Sequence, residues 1–175
     1  IRDRRKGHDA ERGLVLVSSN LDAFAARALS ARIAGRSLDL MYYIWNDDLT
    51  GRLILREALA AADRGVRVRL LLDDIGVSLS DKTFLAVDSH PLIEVRLFNP
   101  THARENKIRR GIEMALRMVS VNRRMHNKAW IADGQIAIVG GRNIGDEYFD
   151  AAEASNFRDL DIIAIGEMAG QAEVI

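Results

Sequence analysis

The sequence of 175 residues predicts an α/β fold, in which a mixed β-sheet is flanked by helices on both faces. Strand-like and helix-like segments alternate along the first hundred residues, a rhythm typical of parallel strands joined by crossover helices. Further on, two strand-like segments enclose the dipeptide Asp133-Gly134, which favours the tight turn of an antiparallel hairpin. Parallel crossovers together with an antiparallel hairpin predict a mixed sheet.

The helices are predicted from apolar residues at helical spacing and from the residues that start or stop a helix. Gly35 and Gly65 follow two of these segments as stops, and Ser80 or Asp81 caps the start of another. The predicted helical segments are residues 24–34, residues 51–64, a short run after Ser80, part of 101–125, and a short stretch near 144–149.

The strands are predicted from the alternation of apolar and polar side chains. They are residues 37–45, residues 66–74, residues 93–100, the two arms of the hairpin around Asp133-Gly134, and residues 157–166. Residues 1–23 open with a charge-rich stretch and are predicted to form a polar N-terminal arm. The remaining residues, 24–175, are predicted to form one domain.

The composition limits the classes of function. The 25 basic and 25 acidic residues give a net charge of zero, unlike the strongly basic domain of a general nucleic-acid binder. The chain has no cysteine, which rules out disulfides and thiolate chemistry. No apolar run approaches the roughly 20 residues that are needed to span a bilayer.

The segment MHNKAWIADGQIAIVGGRN, residues 125–143, carries the candidate chemistry. On an extended strand, His126 and Lys128 project to the same side, about 6–7 Å apart along the chain. Imidazole is a nucleophile near neutral pH, and an ammonium is a compact partner for phosphate. This pair therefore predicts phosphoryl chemistry.

The end of the same segment favours an anion site. Gly140 and Gly141 allow the main chain to approach an anion closely, and the Asn143 amide can donate to a phosphate oxygen. A helix beginning just beyond would add its positive N-terminal end. Asp133 has the opposite parity to His126 and lies in the predicted turn, which assigns it to holding the turn or a neighbouring basic residue.

The complete pattern is His-x-Lys, four residues, Asp, six residues and Gly-Gly-x-Asn, and it resembles the signature of the phospholipase D superfamily. The resemblance covers most of residues 37–166 and is strongest to the amino-terminal half of bacterial cardiolipin synthase-like members. It includes SLDLMYYIWNDDLTGRLILREALAAADRGVRVRLLLDD, HPLIEVRLFNP and NFRDLDIIAIG. The resemblance implies one lobe of a phospholipase D-type fold that cleaves a phosphodiester through a phosphohistidine, without a metal or another cofactor.

The resemblance also implies roles for single residues. His126 is the nucleophile or the acid that protonates the leaving alcohol, while Lys128, Gly141 and Asn143 bind the substrate phosphate. The motif adds Asp133 to the catalytic set, beside the structural role that its parity suggests. Asp159 matches the acid that orients the histidine, and Asp161 is the alternative on the same face of the strand.

Active sites of this family are built from two such motifs, and the sequence contains one. The second is expected from another lobe of a longer chain or from a homodimer partner; otherwise the lobe is inactive by itself and serves in assembly. The expected substrate is a phospholipid similar to phosphatidylglycerol, with the longer protein associated with a bacterial inner membrane. The alternative is a dimeric nuclease-type phosphodiesterase, because Arg109–Arg110 and Arg123–Arg124 could contact either DNA or anionic headgroups.

Overall fold

The computed structural model describes residues 13–100, 124–166 and 169, and these residues form one sheet with helices packed on it. The strands are β1 (Gly13–Val17), β2 (Ser37–Tyr42), β3 (Arg67–Asp73), β4 (Ile93–Phe98), β5 (Ala129–Ala132), β6 (Ile136–Gly140) and β7 (Asp161–Ile165). The helices are α1 (Asn20–Ile33), α2 (Leu49–Asp63) and α3 (Asp81–Asp88), and a 3-10 turn spans Asp146–Tyr148.

The order of the strands across the sheet is β1-β7-β6-β5-β2-β3-β4. β2, β3 and β4 run parallel to one another, and the remaining neighbours pair antiparallel. The predicted α/β class and mixed sheet are therefore confirmed. Five strand termini lie along one side of this sheet, because antiparallel neighbours run in opposite directions. They are the C-terminal ends of β1, β2 and β6 and the N-terminal ends of β5 and β7.

The main apolar core lies between one face of the sheet and the three described helices. Leu38, Leu40 and Tyr42 alternate along β2 and are buried on this face. They belong to one cluster with buried residues of α1, α2 and α3, including Ala31, Ile54 and Val87. A smaller cluster of Ile131, Ala137, Ala164 and Ala169 lies on the opposite face. Among the described helices, none is long and apolar enough to cross a bilayer.

The helices begin where short polar side chains can cap them. The side-chain oxygens of Ser19, Asp48 and Ser80 accept hydrogen bonds from main-chain N–H groups in the first turns of α1, α2 and α3. The predicted cap at Ser80 and the predicted stop at Gly65, which has a φ of 100°, are confirmed. The predicted helix within residues 101–125 lies almost wholly outside the described residues.

The predicted boundary of the N-terminal arm at residue 23 is wrong. Residues Gly13–Val17 form the edge strand β1, and α1 begins at Asn20. β1 is apolar at nearly every position, and Leu14 and Leu16 are exposed, so it lacks the alternation that identifies a strand. Its partner is β7, about 150 residues later in the chain, so local periodicity could not identify the pairing.

The hairpin turn forms at the predicted dipeptide. Asp133 and Gly134 have φ values of 55° and 65°, and the Gln135 N–H donates to the Ala132 carbonyl over 2.9 Å. Two successive positive φ values are what a type I′ turn requires, and Asp and Gly tolerate them.

The Asp133 carboxylate holds the connection between α1 and β2. It accepts hydrogen bonds from the main-chain N–H groups of Gly35, Arg36 and Ser37 over 2.9, 2.7 and 2.9 Å. Burial alone raises the pKa of this carboxyl, but the three donors outweigh burial and hold the pKa below its usual value. Gly35 therefore donates its N–H to Asp133, and the C-cap residue of α1 is Ala34, one residue earlier.

Replacing Asp133 with Asn should lower the free energy of unfolding at pH 7 by about 1–3 kcal/mol, because two charged acceptor oxygens become one neutral oxygen. Asn keeps the tolerance for positive φ, so the turn itself is preserved. The carboxylate contributes stability above the unfolded-state pKa and loses it as the pH falls through the lowered folded-state pKa.

Urea denaturation of Asp133→Asn and the wild type should therefore converge as the pH is lowered. Gln135→Ala, an exposed change in the same turn, is the matched control and should remain near the wild type at every pH. An Asp133→Asn protein as stable as the wild type at pH 7 would contradict the assignment.

Candidate active site

His126 and Lys128 converge, as their spacing predicts. Lys128 Nζ lies 3.0 Å from His126 Nδ1 and 3.3 Å from His126 Nε2, and it donates to the His126 carbonyl over 2.8 Å. An ammonium can only donate, so the ring nitrogen that accepts from Lys128 is set by the tautomer of His126. The imidazole is exposed to solvent, whereas Lys128 is only 7% exposed. The solvent-accessible His126 ring therefore contacts the buried ammonium of Lys128.

The end of β2 supports this pair. The Tyr43 ring lies 5.1 Å from the His126 ring, between centroids, and Lys128 Nζ lies 5.5 Å from the Tyr43 centroid. An aromatic face attracts a cation at this distance. The next residue, Ile44, donates its N–H to the Asn143 side chain over 3.0 Å. Residues 43 and 44 therefore connect the histidine and lysine to the asparagine.

Asn143 is held from two sides and is 4% exposed. Its Oδ1 accepts from Ile44, and its Nδ2 donates to the Tyr148 hydroxyl over 3.0 Å. One hydrogen of the Nδ2 amide is used in this bond and the second remains for another acceptor. Burial raises the pKa of the Tyr148 phenol, and the hydrogen bond from Asn143 acts in the opposite direction. Tyr148 is therefore a neutral hydroxyl beside the site.

Gly140 and Gly141 make room for the start of β7 rather than for a ligand. A Cβ on Gly141 would overlap the Asp159 carboxylate, and a Cβ on Gly140 would overlap Asp161 and the Leu160 carbonyl. The Gly141 N–H already donates to the Leu160 carbonyl over 3.2 Å. The predicted phosphate contact of Gly141 is therefore corrected, because both its N–H and its open side are occupied by the protein itself.

Asp159 is near the site, but within the described part of the chain it makes no hydrogen bond to His126. Its Oδ1 accepts from the Leu160 N–H over 2.8 Å, and its charge acts on Lys128 and Tyr148. Burial lowers the pKa of the Lys128 ammonium, and the Asp159 carboxylate opposes this change by favouring the charged form. The structure thus connects Asp159 with the lysine, whereas the resemblance connects it with the histidine.

Asp161, the alternative orienting acid, is completely buried in an ion cluster below the site. Its Oδ2 lies 2.9 Å from Arg27 Nη1 and 3.4 Å from Arg142 Nη1, and all three side chains are shielded from solvent. Arg142 also donates to the carbonyls of Val17, Ser18 and Asp159. Asp161 is therefore bound to the fold and is not available to His126, which corrects the alternative assignment.

The structure does not bring Asp133 to His126. The two residues lie at opposite ends of β5, and the Asp133 carboxylate is fully engaged by residues 35–37. The catalytic assignment implied by the motif is therefore replaced by the structural role that strand parity predicts.

Two aromatic residues of the site were missed at the level of sequence. Tyr43 contacts His126 and Lys128, and Tyr148 contacts Asn143. The strand predicted over residues 37–45 contains Tyr43, and only the structure, in which β2 ends at Tyr42, places Tyr43 in the loop beside the site. Tyr148 reaches the site through the 3-10 turn after Asn143, which no local periodicity indicates.

In the described part of the chain, no three His, Cys, Asp or Glu side chains converge so that they could hold a metal ion. The metal-free chemistry implied by the resemblance stays a prediction.

Comparison with known proteins identifies the family of the chain. A family model described as "Cardiolipin synthase, PLD-like domain" matches residues 30–167. Cardiolipin synthase C from Escherichia coli (strain K12) is 51% identical over 159 residues, which are 91% of this chain and 33% of that protein. The chain spans about a third of the length of the curated relatives that it matches.

Two solved structures share the fold. NucT from Helicobacter pylori superposes with a TM-score of 0.69 and 19% identity, covering 94% of this chain and 92% of that one. Nuc from Salmonella typhimurium, a phospholipase D family member, superposes with a TM-score of 0.60 and 16% identity, covering 94% and 90%. A His, a Lys and an Asn gathered on this fold define a phospholipase D-like domain. The chain belongs to the family of cardiolipin synthase PLD-like domains.

Replacing Gly140 and Gly141 with Ala should lower the free energy of unfolding by different amounts. Gly140→Ala forces a Cβ against the buried Asp161 side chain and against main-chain atoms of Leu160 and Asp161, which cannot move alone. The three atoms nearest a Cβ at Gly141 all belong to the Asp159 side chain, which can move. Overpacking of this kind costs about 1–3 kcal/mol, and we expect Gly140→Ala near the upper end and Gly141→Ala near the lower end. Urea denaturation of the two variants measures the difference.

The double variant Gly141→Ala/Asp159→Gly is the control, since it removes the overlapping carboxylate. Its free energy of unfolding should recover relative to Gly141→Ala. Equal losses for Gly140→Ala and Gly141→Ala would contradict the packing described for β7.

Proposed function

We propose that the chain is a catalytic lobe that cleaves phosphodiesters through a phosphohistidine, with phosphatidyl transfer of the cardiolipin synthase type as its reaction. Hydrolysis of a phospholipid is the same chemistry with water as the acceptor. The observation that carries the proposal is the contact between Lys128 Nζ and the exposed His126 ring. An unprotonated imidazole beside a fixed cation suits attack on an anionic phosphorus centre.

The proposed reaction has two displacements at phosphorus. A ring nitrogen of His126 whose lone pair is not bound to Lys128 attacks the phosphorus, a P–N bond forms, and the bond from phosphorus to the leaving alcohol breaks. The leaving oxygen takes a proton from an acid, which in this proposal is the histidine of a second motif. An acceptor hydroxyl then attacks the phosphohistidine, gives its proton to that second histidine, and regenerates His126.

Lys128 and Asn143 are proposed to hold the non-bridging oxygens as charge shifts in the transition state. Lys128 is buried and contacts His126, and Asn143 has a spare Nδ2 hydrogen. Asp159 is proposed to keep Lys128 charged against the effect of burial. Its role as the acid that orients His126 remains a further proposal, which the pH experiment below distinguishes from the first.

The second motif is proposed to come from another lobe of a longer protein. The 51% identity to a protein about three times as long supports this arrangement. A homodimer is the second arrangement, supported by NucT and Nuc, whose chains are matched over 92% and 90% of their own lengths. An inactive lobe with a role in assembly is the third.

The proposed substrate is a phospholipid with a glycerol-type headgroup, because the most informative relative is named a cardiolipin synthase. A nuclease-type phosphodiesterase is the second candidate, and the balanced charge of 25 basic and 25 acidic residues counts against it. Incubation with phosphatidylglycerol vesicles and with plasmid DNA, each in EDTA, separates the two. Release of glycerol with formation of a diphosphatidyl product supports the lipid reaction, and nicked plasmid alone supports the nuclease.

In the longer protein that carries both motifs, His126→Ala should lower turnover by more than about a thousandfold without loss of the fold, because the nucleophile is removed. Lys128→Met should also lower turnover, since the anion loses its buried cation. Acid-quenched mixtures of the wild type with substrate should contain phosphohistidine by mass spectrometry, and His126→Ala should contain none. His90→Ala is the matched control and should keep full activity, because His90 follows α3 and lies beside Asp63, 3.4 Å from its Oδ1. Full activity in His126→Ala would reject the proposal.

The pH dependence should reveal the charge on Lys128. Burial lowers the pKa of its ammonium, so activity should fall on the alkaline side below the pH at which an exposed lysine loses its proton. Asp159→Asn removes a charge that favours the ammonium, so the alkaline limb of kcat/KM should move to still lower pH. A uniform fall of kcat across the whole pH range, with the limb unmoved, would instead indicate that Asp159 orients His126.

A further inference from the structure

A carboxylate on β3 holds the segment that leads into the histidine. Asp73 ends β3 and is 0% exposed. Its Oδ1 accepts from Arg124 Nη1 over 3.1 Å and from the Ile75 N–H over 3.1 Å, and its Oδ2 accepts from the Met125 N–H over 3.2 Å. One buried side chain thus binds both the side chain and the main chain of the two residues before His126.

The position of His126 depends on contacts of this kind because the sheet does not hold it. β5 begins at Ala129, so residues 124–128 precede its ladder. The Met125 N–H is bound by Asp73 on one side of His126, and the His126 carbonyl accepts from Lys128 on the other. The backbone that carries the imidazole is therefore fixed between a β3 carboxylate and the catalytic cation.

Stability alone is a poor explanation for this arrangement. The Arg124 Nη2 atom is buried and has no hydrogen-bond partner among the described residues, which leaves a desolvated donor. A buried ion pair with an unsatisfied nitrogen is often no more stabilising than apolar side chains of the same volume. The charged pair instead fixes the orientation of residues 124 and 125, because the Arg124 guanidinium and the Met125 N–H must both point at the Asp73 carboxylate.

We propose that Asp73 is a positioning residue, which acts through Arg124 and Met125 to hold the His126 imidazole against Lys128 and Tyr43. The proposal deepens the phosphohistidine mechanism and rests on it for the kinetic consequence. The positional consequence stands independently, because the ring should move whether or not the chain turns over a phosphodiester.

The test compares Asp73→Asn with the wild type. Displacement of a reacting group by about 1 Å costs on the order of a hundredfold in rate, so kcat on phosphatidylglycerol vesicles should fall between about ten- and a hundredfold. KM should change less than about twofold, because Lys128 and Asn143 remain. The His126 ring resonances, assigned in ¹⁵N-histidine-labelled protein by comparison with His126→Ala, should shift.

Asp39→Asn is the matched control. Asp39 is also a strand carboxylate paired with an arginine, Arg69, and it makes no contact with residues 124–126. It should alter stability in urea without shifting the His126 resonances or kcat. If the longer protein that carries both motifs turns over neither lipid nor DNA, the proposed function fails, and the resonances alone decide the positioning role.

The double variant Asp73→Asn/Arg124→Gln covers the case in which Asp73→Asn fails to fold. It leaves no lone buried charge, and its neutral amide pair should recover the free energy of unfolding while binding the segment more weakly. Recovered stability with kcat still reduced and resonances still shifted supports the proposal. Recovery of kcat and of the wild-type resonances together with stability overturns it, as do unchanged resonances in a folded Asp73→Asn protein.

Discussion

A single buried carboxylate fixes the edge of the sheet on which the site is built. Asp161 lies between Arg27 and Arg142, and none of the three side chains reaches solvent. Removing one partner from such a cluster leaves an uncompensated buried charge and costs about 3–5 kcal/mol. The cluster joins α1 to the strand β7 and to the turn after β6. Asn143 follows Arg142 directly, so this ion cluster also fixes the position of the Asn143 amide.

The site itself is a meeting of chain segments that end at this edge. Tyr43 and Ile44 leave β2, His126 and Lys128 approach β5, and Asn143 leaves β6. Each segment lies outside the regular ladder, so hydrogen bonds to side chains fix its path. Asn143 accepts one from the Ile44 N–H, and Asp73 accepts one from the Met125 N–H. The exposed imidazole of His126 can therefore be held in place by buried polar side chains such as Lys128 and Asp73.

Local sequence signals predicted the elements whose partners are near in the chain. The caps at Ser80 and Gly65 and the turn at Asp133-Gly134 were predicted because each depends on φ or on a hydrogen bond within a few residues. β1 was missed, since an apolar edge strand has no alternation and its partner lies at the other end of the domain. Gly141 was misassigned for a similar reason: the sequence indicates a close approach without saying what approaches.

By itself, the sequence determined the motif, the side on which His126 and Lys128 project, and the turn chemistry of Asp133, because strand parity and φ preferences are local properties. Only the tertiary structure decided which aspartate does what. Asp133 binds a helix–strand connection, Asp161 neutralises two buried arginines, and the charge of Asp159 favours the ammonium form of Lys128. All three are similar side chains in solution, and the charges and donors that distinguish them come from residues distant in the chain.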